Sequence, residues 1–346
     1  MKADVKENKL QYGMRVLRNA ELKKLRECID LVHKRTGMSR IKCFRDMMYC
    51  LKKFGSGYYD YVIFHFYELS DELRETYMTR LKNKKFTNLV NDAAYEHYFD
   101  NKCEFAEAFK DFTGRSSLDV EASSKEEIIE YFNQHDELFG KITDSECGHG
   151  AELMKKEDFK SGEEFYDFIK EKNLGIIEEV ITNHHVIKDI YPYALNTMRM
   201  VTLIGDDGKP HLLYAAQKFG DRGRFIDIYG MHGPIELDTG EIKFPLHSGE
   251  TTKDLFYTEH PYTGKNFMGL KIPYFEEAKK MILEAAMVIP QVRYVGWDVA
   301  VTENGPLIIE GNPYGAYEYM QLPGQSKDRR GILERIQKIV PRFKYR

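Results

Sequence analysis

Hydrophobic positions recur at two different periods along this chain, and the change between them divides it. Up to residue 85, Val16, Leu17, Leu22, Leu25, Ile29 and Val32 fall at mixed three- and four-residue steps with lysine and arginine between them. That spacing predicts helices with one apolar face. Gly37, Gly55 and Gly57 punctuate the region. The aromatic run at 58–67, YYDYVIFHFY, reads as a packed helix or a contact between domains, with a substrate or partner groove as the other reading. One or two further helices are expected at 88–115, ending at Gly114. Ser123 or Ser124, followed by Glu126 and Glu127, caps a helix expected over 125–135.

From Leu138 the period shortens. LFGKI, GIIEEVI, MRMVTLIG, HLLYAAQKFG, FIDIYG, GEIKFPL, VGWDVAVT and LIIEGN are short apolar runs separated by Gly, Asp and Asn turns, which predicts strands. Few helices fall between them: 161–172, 273–289 and a last one at 330–340. The fold class is therefore α+β with largely antiparallel strands. The runs do not alternate as in a Rossmann sheet, and no G-x-G-x-x-G is present.

Composition narrows the picture. The chain has 346 residues, 42% hydrophobic and 31% charged, enough for two or three packed subdomains. A net charge of −4 gives no overall footprint for nucleic acid, and none is expected as a partner. Five scattered cysteines without a C-x-x-C pair read as reduced thiols in a cytoplasmic protein. No run approaches the roughly 20 apolar residues of a membrane helix. The N-terminus shows no signal-peptide core. A soluble protein is expected, with peripheral membrane association left open.

The strongest chemical signal is VGWDVAVTENGPLIIEGN, read as a hairpin. Glu310 and Asn312 are two apart on one strand, so they share a face. A two-residue loop of Asn304 and Gly305 would place Asp298 on the other face. A three-residue loop of Glu303, Asn304 and Gly305 places Asp298 opposite Glu310. We adopt the latter, because Val299, Val301, Leu307 and Ile309 then line a common apolar face. Two carboxylates and one amide oxygen are hard ligands suited to Mg²⁺ or Mn²⁺; a solvated polar face is the plain alternative.

Other pieces bear on that choice. Lys141 ends a strand run and precedes a loop with Gly148, His149 and Gly150. Such a loop supplies backbone N–H groups to phosphates, or is an ordinary turn. Glu178, Glu179, Val180 and Ile181 read as an adenine hinge or as an edge strand. Arg199 stands among methionine and valine and needs an anionic partner, either a structural carboxylate or a ligand phosphate.

In order, FGK at 139–141, GHG at 148–150, IIEEVI at 176–181, NTMRMVT at 196–202, HPYTG at 260–264, VGWDVAVTENGPLIIEGN at 295–312 and Gln325 resemble the ATP-grasp superfamily. More narrowly, they resemble the sugar-transfer-associated ATP-grasp family. The resemblance covers about residues 85–335 and implies two α+β subdomains clasping ATP, preceded by a helical N-terminal region. Domains are then expected at 1–85 and 86–346, with a nucleotide-covering subdomain at about 136–182. It implies that Lys102 and Lys141 hold the nucleotide, with Gly148, His149 and Gly150 covering the phosphates and Glu178, Glu179, Val180 and Ile181 as the hinge. Arg199 would stabilise the transferred phosphoryl group. Asp298, Glu310 and Asn312 would bind magnesium. Two positions depart from the family pattern: Ile142 follows Lys141 where proline is usual, and Lys218 stands where a strand arginine often lies. Lys218 is carried as a catalytic candidate. Asn196, Arg224, Asp227, His260 and Thr263 are expected on the substrate side.

The implied reaction is carboxylate–amine ligation through an acylphosphate. ATP and Mg²⁺ (or Mn²⁺) are the cofactors, with an amino acid or peptide and a sugar acid or cell-surface glycan precursor as partners. A kinase acting on a hydroxyl and a non-catalytic nucleotide-binding scaffold are the alternatives.

Overall fold

The computed structural model describes residues 21–143, 150–223 and 230–345. Helices Glu21–Thr36, Arg40–Phe54, Tyr58–Ile63, Asp71–Glu75 and Arg80–Val90 come first among the described residues. Ser39 caps the second, its hydroxyl accepting from Lys42 N, and Gly55 ends it in a left-handed conformation. The aromatic run is core. Tyr61, Val62, Ile63, Phe64 and Phe66 are buried together with Val32, Cys43, Met47, Cys50 and Phe54. Phe64 and Tyr77 pack with ring centroids 5.1 Å apart.

A four-stranded antiparallel sheet comes next. Its strands are β1 (Ser117–Asp119), β2 (Glu137–Lys141), β3 (Glu152–Lys155) and β4 (Ile176–Glu179), in the order β1-β4-β2-β3. Helices Lys125–Gln134 and Gly162–Glu171 cover one face. There Ile128, Phe132, Phe165 and Ile169 pack on Leu138, Met154 and Ile177. Ser124 and Glu127 close the first of these helices with a capping box. Because side chains alternate, Phe139, Lys141 and Glu178 lie on the opposite face.

The second sheet has seven antiparallel strands: β5 (Thr197–Ile204), β6 (Pro210–Phe219), β7 (Met231–Ile235), β8 (Leu246–Ser248), β9 (Phe256–Tyr257), β10 (Tyr294–Thr302) and β11 (Gly305–Asn312). Their order is β11-β10-β5-β6-β7-β8-β9. One face is mainly apolar, with Thr202 and Gln217 buried within it. Met198, Met200, Val295, Trp297, Val299 and Ile308 pack there against helix Phe275–Ala285 and Phe99, Phe105 and Phe109. The indole N–H of Trp297 donates to Thr202 Oγ1 at 2.9 Å. The other face is divided. Val201, Leu203, Leu213, Tyr214 and Tyr294 pack against helices Arg80–Val90 and Leu333–Ile339. The rest of that face is polar and forms the site.

Several expectations are corrected. The hairpin loop is the two residues Glu303 and Asn304, since Thr302 pairs with Gly305. Asp298 nonetheless pairs with Glu310, because β11 carries one extra residue, Ile309, between Glu310 and Ile308. This bulge also changes the apolar face: Ile308, not Ile309, lies opposite Val299, and Leu307 pairs with Ala300 instead of Val301. Only the end of GEIKFPL enters a strand, β8, although Ile242 makes an isolated bridge to Ile235. β7, with Gly233 and Pro234, and the short helix His185–Ile190 were not expected. The strand-like run at 225–229 lies outside the described residues.

Candidate functional site

Register builds the site. Glu310 on β11 pairs with Asp298 on β10, Asp298 with Arg199 on β5, and Arg199 with Ala216 on β6. Paired residues of an antiparallel ladder share a face. Lys218, two further along β6, joins that face and pairs with His232 on β7, which pairs with His247 on β8. A row of polar side chains therefore crosses six strands, stepping along β6 from Ala216 to Lys218.

Asp298 is its hub. Arg199 Nε donates to Asp298 Oδ1 at 2.8 Å and Nη2 to Oδ2 at 3.1 Å; Lys218 Nζ donates to Oδ2 at 3.2 Å. All three side chains are nearly fully buried. Burial alone would raise the Asp298 carboxyl, but Arg199 and then Lys218 hold it below the ordinary carboxylate range. Glu310 keeps a flank open to solvent. The protein packed around its carboxyl, and next the Asp298 charge, push its pKa up. Gly296 makes the arrangement possible: a Cβ there would stand 3.0 Å from Arg199 Nη1.

The donor set fits a hard divalent cation. Asp298 Oδ1 accepts one hydrogen bond and retains a lone pair. Glu310 carries a carboxylate crowded by a like charge, which a cation between the two would relieve. Asn312 Nδ2 donates to Glu310 Oε1 at 3.4 Å, leaving the amide oxygen of Asn312 for a ligand. His184, His185 and Glu303 form another cluster with metal-ligand groups among the described residues, but its hydrogen bonds argue against a metal. His184 Nδ1 accepts from Val186 N at 3.2 Å, so Nε2 carries the proton and has no lone pair to offer. Glu303 accepts from His185 N at 2.7 Å and from its Nδ1 at 3.0 Å. The cluster ties the hairpin loop to the start of helix His185–Ile190.

On the four-stranded sheet, Lys141 is ion-paired with Glu178 Oε2 and lies 5.7 Å from the Phe139 ring. Arg115 donates to Glu178 Oε1 through Nε at 3.1 Å and Nη2 at 2.7 Å. Burial would raise the Glu178 carboxyl, yet Lys141 and Arg115 hold it down at about 2. Its carboxylate is thus engaged within the protein. Glu179 is exposed and Val180 and Ile181 are half-buried, so the outer part of the hinge stays accessible. Lys102 Nζ donates to the Thr143 carbonyl at 3.1 Å. Gly150 is left-handed, and a Cβ there would meet Ile142 Cδ1 at 2.3 Å. Gly148, His149, Arg224 and Asp227 lie outside the described residues.

Three expected substrate residues have their polar groups spent inside the protein. Asn196 Nδ2 donates to the Tyr191 carbonyl at 2.7 Å, and its Oδ1 accepts from Gly220 N at 3.0 Å. His260 is fully buried, with Nε2 donating to the Gly220 carbonyl at 2.9 Å and Nδ1 accepting from Tyr262 N and Thr263 N. Thr263 Oγ1 donates to the Ile190 carbonyl at 2.7 Å. These residues hold the Gly220 turn and the start of β5 in place.

Sequence reasoning missed Arg115, His232 and Tyr319. The His232 ring lies 4.2 Å from that of Tyr319. Burial, then His247 and Lys218, press its pKa down to about 3. His232 Nε2 and Gln325 Oε1 are buried without a hydrogen-bond partner among the described residues. An apolar-polar alternation through β7 would have exposed His232, but Gly233 and Pro234 disguise the strand.

The sequence model of sugar-transfer associated ATP-grasp proteins matches residues 81–340. The chain belongs to that family. Its α+β architecture is the ATP-grasp fold, preceded by a helical N-terminal region. Similar solved structures include the ATP-grasp ligase PsnB complexed with a minimal precursor, at 12% identity over 67% of this chain and 57% of that one, TM-score 0.40. N5-carboxyaminoimidazole synthetase from Staphylococcus aureus complexed with ADP aligns at 12% identity, over 66% of this chain and 52% of that one, TM-score 0.41. D-alanyl-alanine synthetase A from Vibrio cholerae aligns at 12% identity, over 70% and 60%, TM-score 0.38. The chain thus spans little more than half the length of the first two. No protein of curated function matches the sequence. Among the described residues, no helix is long and apolar enough to cross a membrane.

Proposed function

We propose that this ATP-grasp protein is an ATP-dependent carboxylate–amine ligase. In this reading it joins an amino acid or peptide to a sugar acid or cell-surface glycan precursor. The observation that carries the proposal is the Asp298–Glu310 pair, set beside two buried cations on a sheet face whose charges are felt from Lys141. Lys102 and Lys141 would hold phosphates. The backbone of Glu179, Val180 and Ile181 would meet adenine, and the turn at Gly150 would border the phosphate cover.

Asp298, Glu310 and Asn312 would hold Mg²⁺ or Mn²⁺, which supplies neutralising charge to the phosphate oxygens when bound. A substrate carboxylate oxygen attacks the γ-phosphorus of ATP, the bond to the ADP oxygen breaks, and an acylphosphate forms. An amine nitrogen then attacks the acyl carbon and phosphate leaves. Arg199 and Lys218 would neutralise charge as it develops, which is the protein's main contribution to phosphoryl transfer. The unpaired His232 and Gln325 atoms, next to Lys218, favour an acceptor side there instead of at Asn196, His260 and Thr263.

A screen of amino acids against uronic acids with Mg²⁺ and ATP tests this, read by ADP release and by mass spectrometry. The ligase reading expects ADP, phosphate and an amide only when acid and amine are both present. ADP with a phosphorylated hydroxyl product would replace it with a kinase.

A further inference from the structure

Successive carbonyls of a regular strand point to opposite sides, so one side chain does not bond both. At Ile308 and Ile309 one does. Arg115 Nη1 donates to the Ile308 carbonyl at 2.9 Å, and Nη2 to the Ile309 carbonyl at 3.2 Å. The bulge at Ile309 turns both carbonyls the same way, and β11 is an edge strand, with no further strand among the described residues to take them. The remaining bonds of the guanidinium go to the Thr113 carbonyl at 3.2 Å and to Glu178 Oε1. The Arg115 side chain is only 4% exposed. The other Glu178 oxygen holds Lys141. An unbroken series of polar contacts therefore runs from Lys141 on one sheet, through Glu178 and Arg115, to the residue preceding Glu310 on the other.

We propose that Arg115 is a positioning residue that couples phosphate binding at Lys141 to metal binding at Glu310. The inference rests on the reading of this cleft as a nucleotide–metal site. Glu178 divides one negative charge between two cations. A nucleotide phosphate at Lys141 competes with Glu178 for the ammonium and leaves the carboxylate more fully to Arg115. Arg115 then holds the bulge, and the bulge sets the direction of Glu310. Lysine cannot replace it, because a point charge lacks the planar fork that spans two carbonyls and a carboxylate.

The test uses the full chain, Mn²⁺ followed by electron paramagnetic resonance, and AMPPNP as a non-hydrolysed nucleotide. Affinity for Mn²⁺ is measured with and without AMPPNP, and affinity for AMPPNP is measured in chelator. For Arg115→Lys the expected result is Mn²⁺ binding in the AMPPNP complex weakened by about 10-fold or more, the usual effect of losing a group that orients a metal ligand. Metal-free AMPPNP affinity should move far less. Guanidinium ion added to Arg115→Ala should restore part of the Mn²⁺ affinity. Glu178→Gln, which leaves the carbonyl contacts of Arg115 in place, should keep Mn²⁺ binding but lose its enhancement by AMPPNP. Unchanged Mn²⁺ affinity in Arg115→Lys overturns the inference, as does a parallel fall of metal and metal-free nucleotide affinity. Wild-type enhancement surviving in Glu178→Gln also overturns it. If the unsubstituted protein binds no Mn²⁺ with AMPPNP, the nucleotide-site reading fails first, and the inference with it.

Discussion

At the scale of single residues, Asp298 and Glu310 are both acidic and adjacent, yet their removal should have opposite structural effects. Asp298 accepts from both Arg199 and Lys218, so Asp298→Asn removes the carboxylate that these two buried cations share. A loss of about 3–5 kcal/mol is expected in urea denaturation. Glu310 is held against a like charge, so Glu310→Gln should leave stability unchanged or slightly raised. Turnover should collapse in both. Glu178 makes a different statement, about pH. Its pKa is depressed from 4.5 to about 2 in the folded protein. The stability this contributes is fully present above the unfolded value and is lost as pH falls through the folded one. Between pH 4.5 and pH 2 the loss from this group should be about 3 kcal/mol. Denaturation of Glu178→Gln across that range should lack this component. The chemistry of these residues was partly legible in the sequence: the hard-ligand set of Asp298, Glu310 and Asn312 follows from residue type and spacing. Arg115 was not, because it stands in a polar turn, TGRSS, and its partners Ile308 and Ile309 lie nearly 200 positions away.

At the scale of elements, strong periodicity was readable and compensating irregularity was not. The capped helix Lys125–Gln134 was visible in Ser124 and Glu127, and its box is formed. Ser124→Ala should cost about 1 kcal/mol, seen as a lower melting temperature, with kcat unaffected because the helix lies on the far face of its sheet. The hairpin shows the opposite case. Its pairing of Asp298 with Glu310 was anticipated from a longer loop. The chain reaches the same pairing by a tighter loop and one inserted residue, two changes that cancel at Asp298 and differ everywhere nearer the turn. Patterning cannot separate these, since both put the carboxylates together. β7 escaped notice because Gly233 and Pro234 break the expected alternation. It tolerates Pro234 because β8 pairs only with Met231 and His232, leaving the proline beyond that ladder.

Across the whole molecule, a dense latch joins the helical N-terminal region to the C-terminal segment. Gln321 accepts from Met78 N at 2.8 Å and Ile332 N at 3.0 Å and donates to the Met78 carbonyl at 2.9 Å. Thr76 accepts from Gly331 N and Leu333 N. Tyr317 donates to buried Asp60 at 2.9 Å. A fragment beginning at Leu81, where the family match starts, loses this latch and exposes apolar surface of helix Leu333–Ile339. It should lack the near-ultraviolet circular dichroism of the full chain, which should unfold in one transition. A fragment with native-like dichroism would show the two regions to be separable. Helix Arg80–Val90 runs through residue 85, and the packing continues straight across it.

Trp297 gives the molecule its own optical probe. It is the sole tryptophan of the chain, sealed among Phe99 and Phe109, and its backbone neighbour is Asp298. Every photon excited selectively from indole therefore originates one residue from the acidic pair, on the dry side of the same strand. Emission should be blue-shifted, and any shift in strand β10 when MgADP is added should register as a change in intensity or lifetime. The protein can be titrated by its own light, without a label and before its acceptor is known.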